Sequence, residues 1–125
     1  SIKVLNLMSE LKTRAEHEDH NEVKVVFNLD GNALYFSREP IPSRKKGFNE
    51  VPMFKQVCII PFRRDYLLKF NKMTETNLER IESIDMNRII EHGEKIKMVE
   101  TKELVYSVDT KNDLVKVEKV FQSLE

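Results

Sequence analysis

The sequence predicts an α/β protein built on a mixed sheet, and three observations carry that reading. Asp30-Gly31 sits between two β-rich runs, an Asp-Gly reversal that signals a hairpin. Strand-like segments alternate along the chain with segments of helical period that are bounded by caps or a glycine. The run Val57-Cys58-Ile59-Ile60 is apolar without a break, which suits a strand covered on both faces.

A length of 125 residues suits one compact domain that buries roughly two thirds of its unfolded surface. Charged residues make up 34% of the chain, yet 21 basic and 21 acidic side chains cancel. That balance argues against a nucleic-acid partner and against a disordered acidic tail. No apolar run is long enough to cross a bilayer, and no secretory signal opens the chain, so a cytoplasmic protein with no membrane partner is expected. Entry at Ser1 directly into Ile-Lys-Val-Leu reads as the remainder of something longer, or as a trimmed start.

Taken in order, Ile2 to Met8 is expected as the first strand. The connector from Glu10 to Asn21 holds His17, Asp19 and His20. Their spacing in a charged stretch without an apolar flank suits a solvated loop or short helix better than a metal cluster. Val23 to Phe27 and Ala33 to Phe36 form the hairpin. Pro40 and Pro42 fix φ and lack an N–H, so the strand ends just past Arg38. Ser43 to Glu50, with three consecutive cations and a glycine, is a loop.

Phe54 to Phe62 is expected as a central strand, with Cys58, the one cysteine, as a small apolar core residue. Arg63 to Phe70 is a short helix with Tyr66, Leu67 and Phe70 on one side. A further helix opens at Thr76, with Glu79 in the capping-box position, and closes at Gly93. On an unbroken helix Leu78, Ile81, Ile89 and His92 share a stripe, and Asp85 falls near its middle between Glu82 and Arg88. A carboxylate left unpaired among core positions is costly. Asp85 therefore pairs with Arg88, or the helix breaks near Ser83, or Asp85 faces a polar cavity that a ligand fills.

Ile96 to Val99 and Leu104 to Val108 follow as strands. The last helix starts with Thr110 as N-cap and Asp113 at N3, and sets Leu114, Val117, Val120 and Leu124 on one face. Asp109 then occupies the turn at the C-terminal end of a strand, the edge where open α/β sheets bind ligands. It either ligates a hard cation such as Mg²⁺ or only supports the helix dipole.

The run Phe27-Asn28-Leu29-Asp30-Gly31-Asn32-Ala33-Leu34-Tyr35-Phe36-Ser37-Arg38-Glu39-Pro40-Ile41-Pro42 resembles the central segment of the bacterial 3-deoxy-manno-octulosonate cytidylyltransferases, the CMP-Kdo synthetases. These activate an acidic eight-carbon sugar with CTP. The similarity resumes at Lys55 to Arg63, at Leu78 to Asp85 and at Tyr106 to Thr110. It covers most of the chain, in order, and matches the family's C-terminal half.

The resemblance implies a partial three-layer α/β mixed-sheet fold of the nucleotide-sugar-transferase type, with the hairpin as a dimerisation and sugar-facing addition. Residues 1–125 are then a single domain, the C-terminal part of a cytidylyltransferase whose N-terminal nucleotide-binding half is absent. Gly31, Gly47 and Gly93 do not cluster into a phosphate cradle, so the chain alone is expected to be inactive. The implied reaction is attack of the sugar hydroxyl on the α-phosphate of CTP with loss of pyrophosphate, for lipopolysaccharide or capsule sugar activation.

By position, the resemblance assigns sugar binding to Arg38, Gln56, Glu82 and Asp85. It makes Asp109 one of two Mg²⁺ ligands and places the loop after Pro42 in a homodimer contact. Gln56 stands where the family usually has histidine, Ile60 where it has tyrosine, and Asp85-Met86 where it commonly has Glu-Gln. The acceptor is therefore an octulosonate or a close analogue, and a CMP-sialic-acid-type synthetase stays open. So does a non-catalytic α/β oligomerisation or sugar-acid-binding module.

Overall fold

A computed structural model describes residues 1–47, 51–102 and 110–123. Five strands, β1 (Leu5–Glu10), β2 (Lys24–Phe27), β3 (Ala33–Ser37), β4 (Phe54–Gln56) and β5 (Lys97–Glu100), form one sheet in the order β3-β2-β4-β1-β5. β5 runs parallel to β1 and the other pairs are antiparallel, so the sheet is mixed as expected. The helices are α1 (Arg14–Glu18), α2 (Arg64–Lys72), α3 (Asn77–Glu82), α4 (Asn87–Glu91) and α5 (Lys111–Ser123). Among the described residues no helix is long and apolar enough to cross a membrane.

The hairpin of β2 and β3 forms for the reason its sequence suggests. Asn28 Oδ1 accepts from the amides of Asp30 and Asn32 at 3.0 and 2.8 Å, and Gly31 sits at φ +82°. Its tip also reaches the far edge of the sheet. Ala33 donates to the Ile96 carbonyl at 2.9 Å and Met98 donates to the Gly31 carbonyl at 2.8 Å, so β3 and β5 meet at that end.

β4 lies at the centre of the sheet but is shorter than the expected strand from Phe54 to Phe62. Leu7 accepts from the Val57 amide at 2.9 Å and donates to the Ile59 carbonyl at 3.2 Å, which leaves Cys58 as an extra residue between two bonded neighbours. This bulge ejects the side chain from the sheet, so Cys58 is exposed and not the core residue expected. Ile59 is likewise exposed.

Two helical expectations are also corrected. Tyr66 and Phe70 of α2 are buried against Phe62, with ring centroids 6.3 and 5.4 Å away, but Leu67 faces outward. The helix from Thr76 to Gly93 breaks at Ser83, which takes φ +59° and ψ +45°. That left-handed residue resets the helical phase. Leu78 and Ile81 are consequently exposed, Ile81 by 76%, while Ile84, Met86 and Ile89 enter the core with Val4, Met8, Val25, Phe36, Ile96 and Met98.

β1 starts later than expected, at Leu5, and Val4 only bridges Phe62. His17, expected in a solvated stretch, is fully buried. The strand expected over Leu104–Val108 lies outside the described residues. α5 begins as expected: Thr110 Oγ1 accepts from the Asp113 amide, and Asp113 Oδ2 accepts from the Thr110 amide, both at 3.1 Å. None of the residues of α5 is buried.

Candidate functional site

A cleft of about 540 Å³ opens where the end of β3, the bulge after β4 and the Ser83 break converge. That volume is in the range of small-molecule sites. Arg38, Gln56 and Asp85 all line it, with Cys58, Ser83 and Arg80. Three of the four residues to which the sequence assigned sugar binding are thus brought to one cavity. Glu82 does not line it and instead lies behind Arg38.

Arg38 is held by main chain. Its Nε donates to the Glu82 carbonyl at 2.9 Å, Nη1 to the His20 carbonyl at 3.2 Å and Nη2 to the Ser83 carbonyl at 3.3 Å. Three of its five N–H groups are used, and the guanidinium is fixed without being neutralised. The Ser83 break makes this possible, because it presents successive carbonyls sideways at a helix end, where they have no intrahelical donor.

Glu82 is engaged from the other side. Oε2 accepts from Tyr35 Oη at 2.8 Å and Oε1 from the Arg38 amide at 3.2 Å. Burial raises the Glu82 pKa, but hydrogen bonds from Ser37, Tyr35 and the Arg38 amide, together with the Arg38 charge, outweigh it and hold the carboxyl below its usual range. Burial and the bond to Glu82 in turn push Tyr35 up to about 12.

The charges of the cleft divide into those in direct ion pairs and those without one. Glu22 lies 3.5 Å from Lys55, Glu75 lies 3.7 Å from Arg80, and Glu79 is paired with Arg88. Among the described residues, Arg38 and Asp85 line the same cleft without a direct ion pair, although the Arg38 charge acts on Glu82 and the Asp85 charge on Arg88. Arg88 pairs directly with Glu79, and not with Asp85 as one sequence alternative had it. Gln56 is oriented by Asn6: its Nε2 donates to Asn6 Oδ1 at 2.8 Å, while Asn6 Nδ2 is spent on the Leu7 and Val57 carbonyls. A fixed cation, an oriented amide and an exposed carboxylate suit a ligand that carries a carboxylate and several hydroxyls.

Several supporting residues escape sequence reasoning. Lys24 is fully buried, and its Nζ donates to the Asp19 carbonyl at 2.6 Å and the Glu22 carbonyl at 2.5 Å, tying down the loop whose His20 carbonyl holds Arg38. Asn87 Nδ2 donates to the Phe36 carbonyl at 3.0 Å and its Oδ1 accepts from the Phe36 amide at 3.2 Å, which satisfies the outer edge of β3. Nothing local in the sequence marks these partners, because each bond joins segments brought together only by the fold. The Thr76–Glu79 pairing was the one legible signal, since Glu79 Oε1 accepts from the Thr76 amide at 3.1 Å at the start of α3.

Comparison with known proteins decides the family. A family model described as "Cytidylyltransferase" matches residues 3–96. The chain belongs to the cytidylyltransferase family. Arg38, Gln56, Glu82 and Asp85 lie inside that matched span and Asp109 lies beyond it. Among relatives of this cytidylyltransferase chain, the 3-deoxy-manno-octulosonate cytidylyltransferase of Fusobacterium nucleatum is 38% identical over 93% of the chain and 47% of its own length. That of Geotalea daltonii is 40% identical over 89% of the chain and 49% of its own length. A solved structure titled as CMP:2-keto-3-deoxy-manno-octonic acid synthetase complexed with CTP superposes with a TM-score of 0.88 at 31% identity, over 100% of this chain and 51% of that one. The chain thus spans about half the length of the relatives it matches.

Asp109 lies outside the described residues. Among those described, no group of three or more His, Cys, Asp or Glu side chains is placed to hold a metal ion. At the start of α5, Thr110 and Asp113 satisfy each other.

Proposed function

We propose that this chain is the sugar-acid-binding part of a cytidylyltransferase that transfers CMP from CTP to 3-deoxy-manno-octulosonate or a close analogue, releasing pyrophosphate. The observation that carries the reading is the pair of opposite charges, Arg38 and Asp85, neither in a direct ion pair among the described residues, in one cleft with the oriented amide of Gln56. Arg38 takes the sugar carboxylate through the N–H groups its carbonyl partners leave over. Asp85 and Gln56 take ring or side-chain hydroxyls, and so turn the attacking hydroxyl toward the nucleotide. Glu82 is a positioning residue that fixes the Arg38 main chain and Tyr35.

Asp109 belongs to this reading as a ligand of Mg²⁺, a cation that suits one or two carboxylates completed by water and phosphate oxygens. When bound, such an ion neutralises charge developing on the phosphates. Self-association through the segment from Glu39 to Phe54 belongs to it as well, supported by the stiff Pro40-Ile41-Pro42 exit from the sheet.

The test is a chimera in which this chain replaces the matched half of the Fusobacterium nucleatum relative. CMP-sugar formation from CTP and 3-deoxy-manno-octulosonate, with N-acetylneuraminate a poorer acceptor, is the expected result. A folded chimera that binds neither sugar acid contradicts the proposal, and one that prefers the sialic acid changes the acceptor.

A further inference from the structure

A second cleft, of about 410 Å³, lies between α1 and the turn after Pro42, lined by Arg14, His17, Glu18, Ser43, Arg44 and Lys45. It shares no lining residue with the cleft of Arg38 and Asp85. Two guanidiniums converge there on a single carboxylate oxygen: Glu18 Oε1 accepts from Arg14 Nε at 2.9 Å and from Arg44 Nη2 at 3.1 Å. Among the described lining residues one carboxylate faces two arginines, and Lys45 adds a third cation.

His17 supplies the second observation. It is fully buried, and its Nε2 lies 2.8 Å from the Ile41 carbonyl. A carbonyl only accepts, so Nε2 carries the proton and Nδ1 is left as a bare acceptor in the neutral ring. Nδ1 is buried and has no hydrogen-bond partner among the described residues. Burial, with the Arg44 and Lys24 charges, lowers the His17 pKa despite the bond to Ile41 and the Glu18 charge. An unpartnered buried acceptor beside an excess of cations among the described lining residues suits a ligand that is anionic and also carries a hydrogen-bond donor.

We infer that this cleft binds a small oxyanion of the hydrogen-phosphate class, with acceptor oxygens on Arg44, Arg14 and Lys45 and its own hydroxyl donating to His17 Nδ1. Sulfate has the same tetrahedral shape and charge but no hydroxyl at neutral pH, and so separates the role of His17 from simple charge attraction. The site is independent of the sugar reading, because it needs neither CTP nor the sugar.

The experiment titrates the isotope-labelled chain with inorganic phosphate, sulfate and chloride at constant ionic strength, following the His17 ring nitrogens by NMR and the association state by sedimentation. Phosphate is expected to give a saturable shift of Nδ1 without a change in mass. Sulfate should bind about fivefold more weakly for loss of one hydrogen bond. Arg44→Gln should weaken phosphate about tenfold or more, the scale of a charge-assisted bond. Lys45→Gln, at an exposed position, should weaken it in the same direction and keeps the test open if Arg44→Gln does not fold. Equal responses to all three anions, no saturable shift, a shift that tracks self-association alone, or undiminished phosphate binding by the folded variants would each overturn the inference.

Discussion

Arg38 and Glu82 hold each other by exchanging main chain for side chain: the Arg38 guanidinium donates to the Glu82 carbonyl, and the Glu82 carboxylate accepts the Arg38 amide. The two side-chain charges are therefore not joined in a direct salt bridge, and the arginine is oriented while its charge stays available to a ligand. Lysine cannot reproduce this, because an ammonium lacks the planar fork that reaches three carbonyls at once. In the chimera, Arg38→Lys should raise the sugar KM about tenfold or more, the scale of a charge-assisted hydrogen bond, and leave the CTP KM unchanged. Steady-state kinetics with each substrate varied in turn checks this, and an unchanged sugar KM removes Arg38 from the site.

Glu79 and Arg88 form a part-buried bidentate pair, with Nε to Oε1 at 2.8 Å and Nη2 to Oε2 at 2.5 Å, and Arg88 also lies over the Phe70 ring at 4.7 Å. Hydrogen bonding from Arg88 holds the Glu79 carboxyl below its usual value of 4.5. A depressed folded pKa stabilises the fold above that value, and the contribution is lost as pH falls below it through the folded pKa. Glu79→Gln leaves Arg88 without its carboxylate and should cost about 3 kcal/mol at neutral pH in denaturant melts. Its stability should also fall less steeply than the parent's between neutral pH and the acid range. Parallel pH profiles would contradict the pairing.

Ser83 tests the helix break. A β-branched side chain at φ +59° is a backbone outlier, so Ser83→Val should destabilise by about 1–2 kcal/mol. Ser83→Gly should stay within about 1 kcal/mol of the parent, since relief at positive φ offsets a looser unfolded chain. Equal melting of the two variants would show that the left-handed turn does not govern this segment.

What could be read in advance depended on whether the signal was local. Asp30-Gly31, the Thr76–Glu79 contact and the Thr110–Asp113 box each act within a few residues and are found where expected, although at Thr76 only its amide bonds to Glu79 Oε1, at 3.1 Å. Cys58 failed because an apolar run does not reveal a bulge, which arises from Leu7 bonding to both Val57 and Ile59. The stripe of Leu78 and Ile81 failed because a wheel assumes one unbroken helix. On such a helix Glu79 and Arg88, nine residues apart, lie on opposite faces, and only the turn at Ser83 lets them meet. The cleft was partly legible: Arg38, Gln56 and Asp85 came from family likeness, whereas the roles of Asn6, Lys24 and Asn87 depend on contacts between distant segments.

Asp109→Asn, in the chimera, should abolish most turnover while costing less than about 1 kcal/mol of stability, the scale of a charge near a helix end. The mutual cap of Thr110 and Asp113 remains intact in that variant. Near-normal turnover at limiting Mg²⁺ would show that the aspartate holds no cation.

The most direct measurement is a titration of the isotope-labelled chain itself with 3-deoxy-manno-octulosonate, following the Arg38 Nε–H and the Gln56 side-chain amide. Saturable shifts at both groups in the parent, with the Gln56 shift lost in Arg38→Lys and both shifts weakened in Asp85→Asn, are the predicted result. A folded chain whose Arg38 and Gln56 signals stay still while the sugar acid saturates other residues, or saturates none, would contradict the assignment of this cleft.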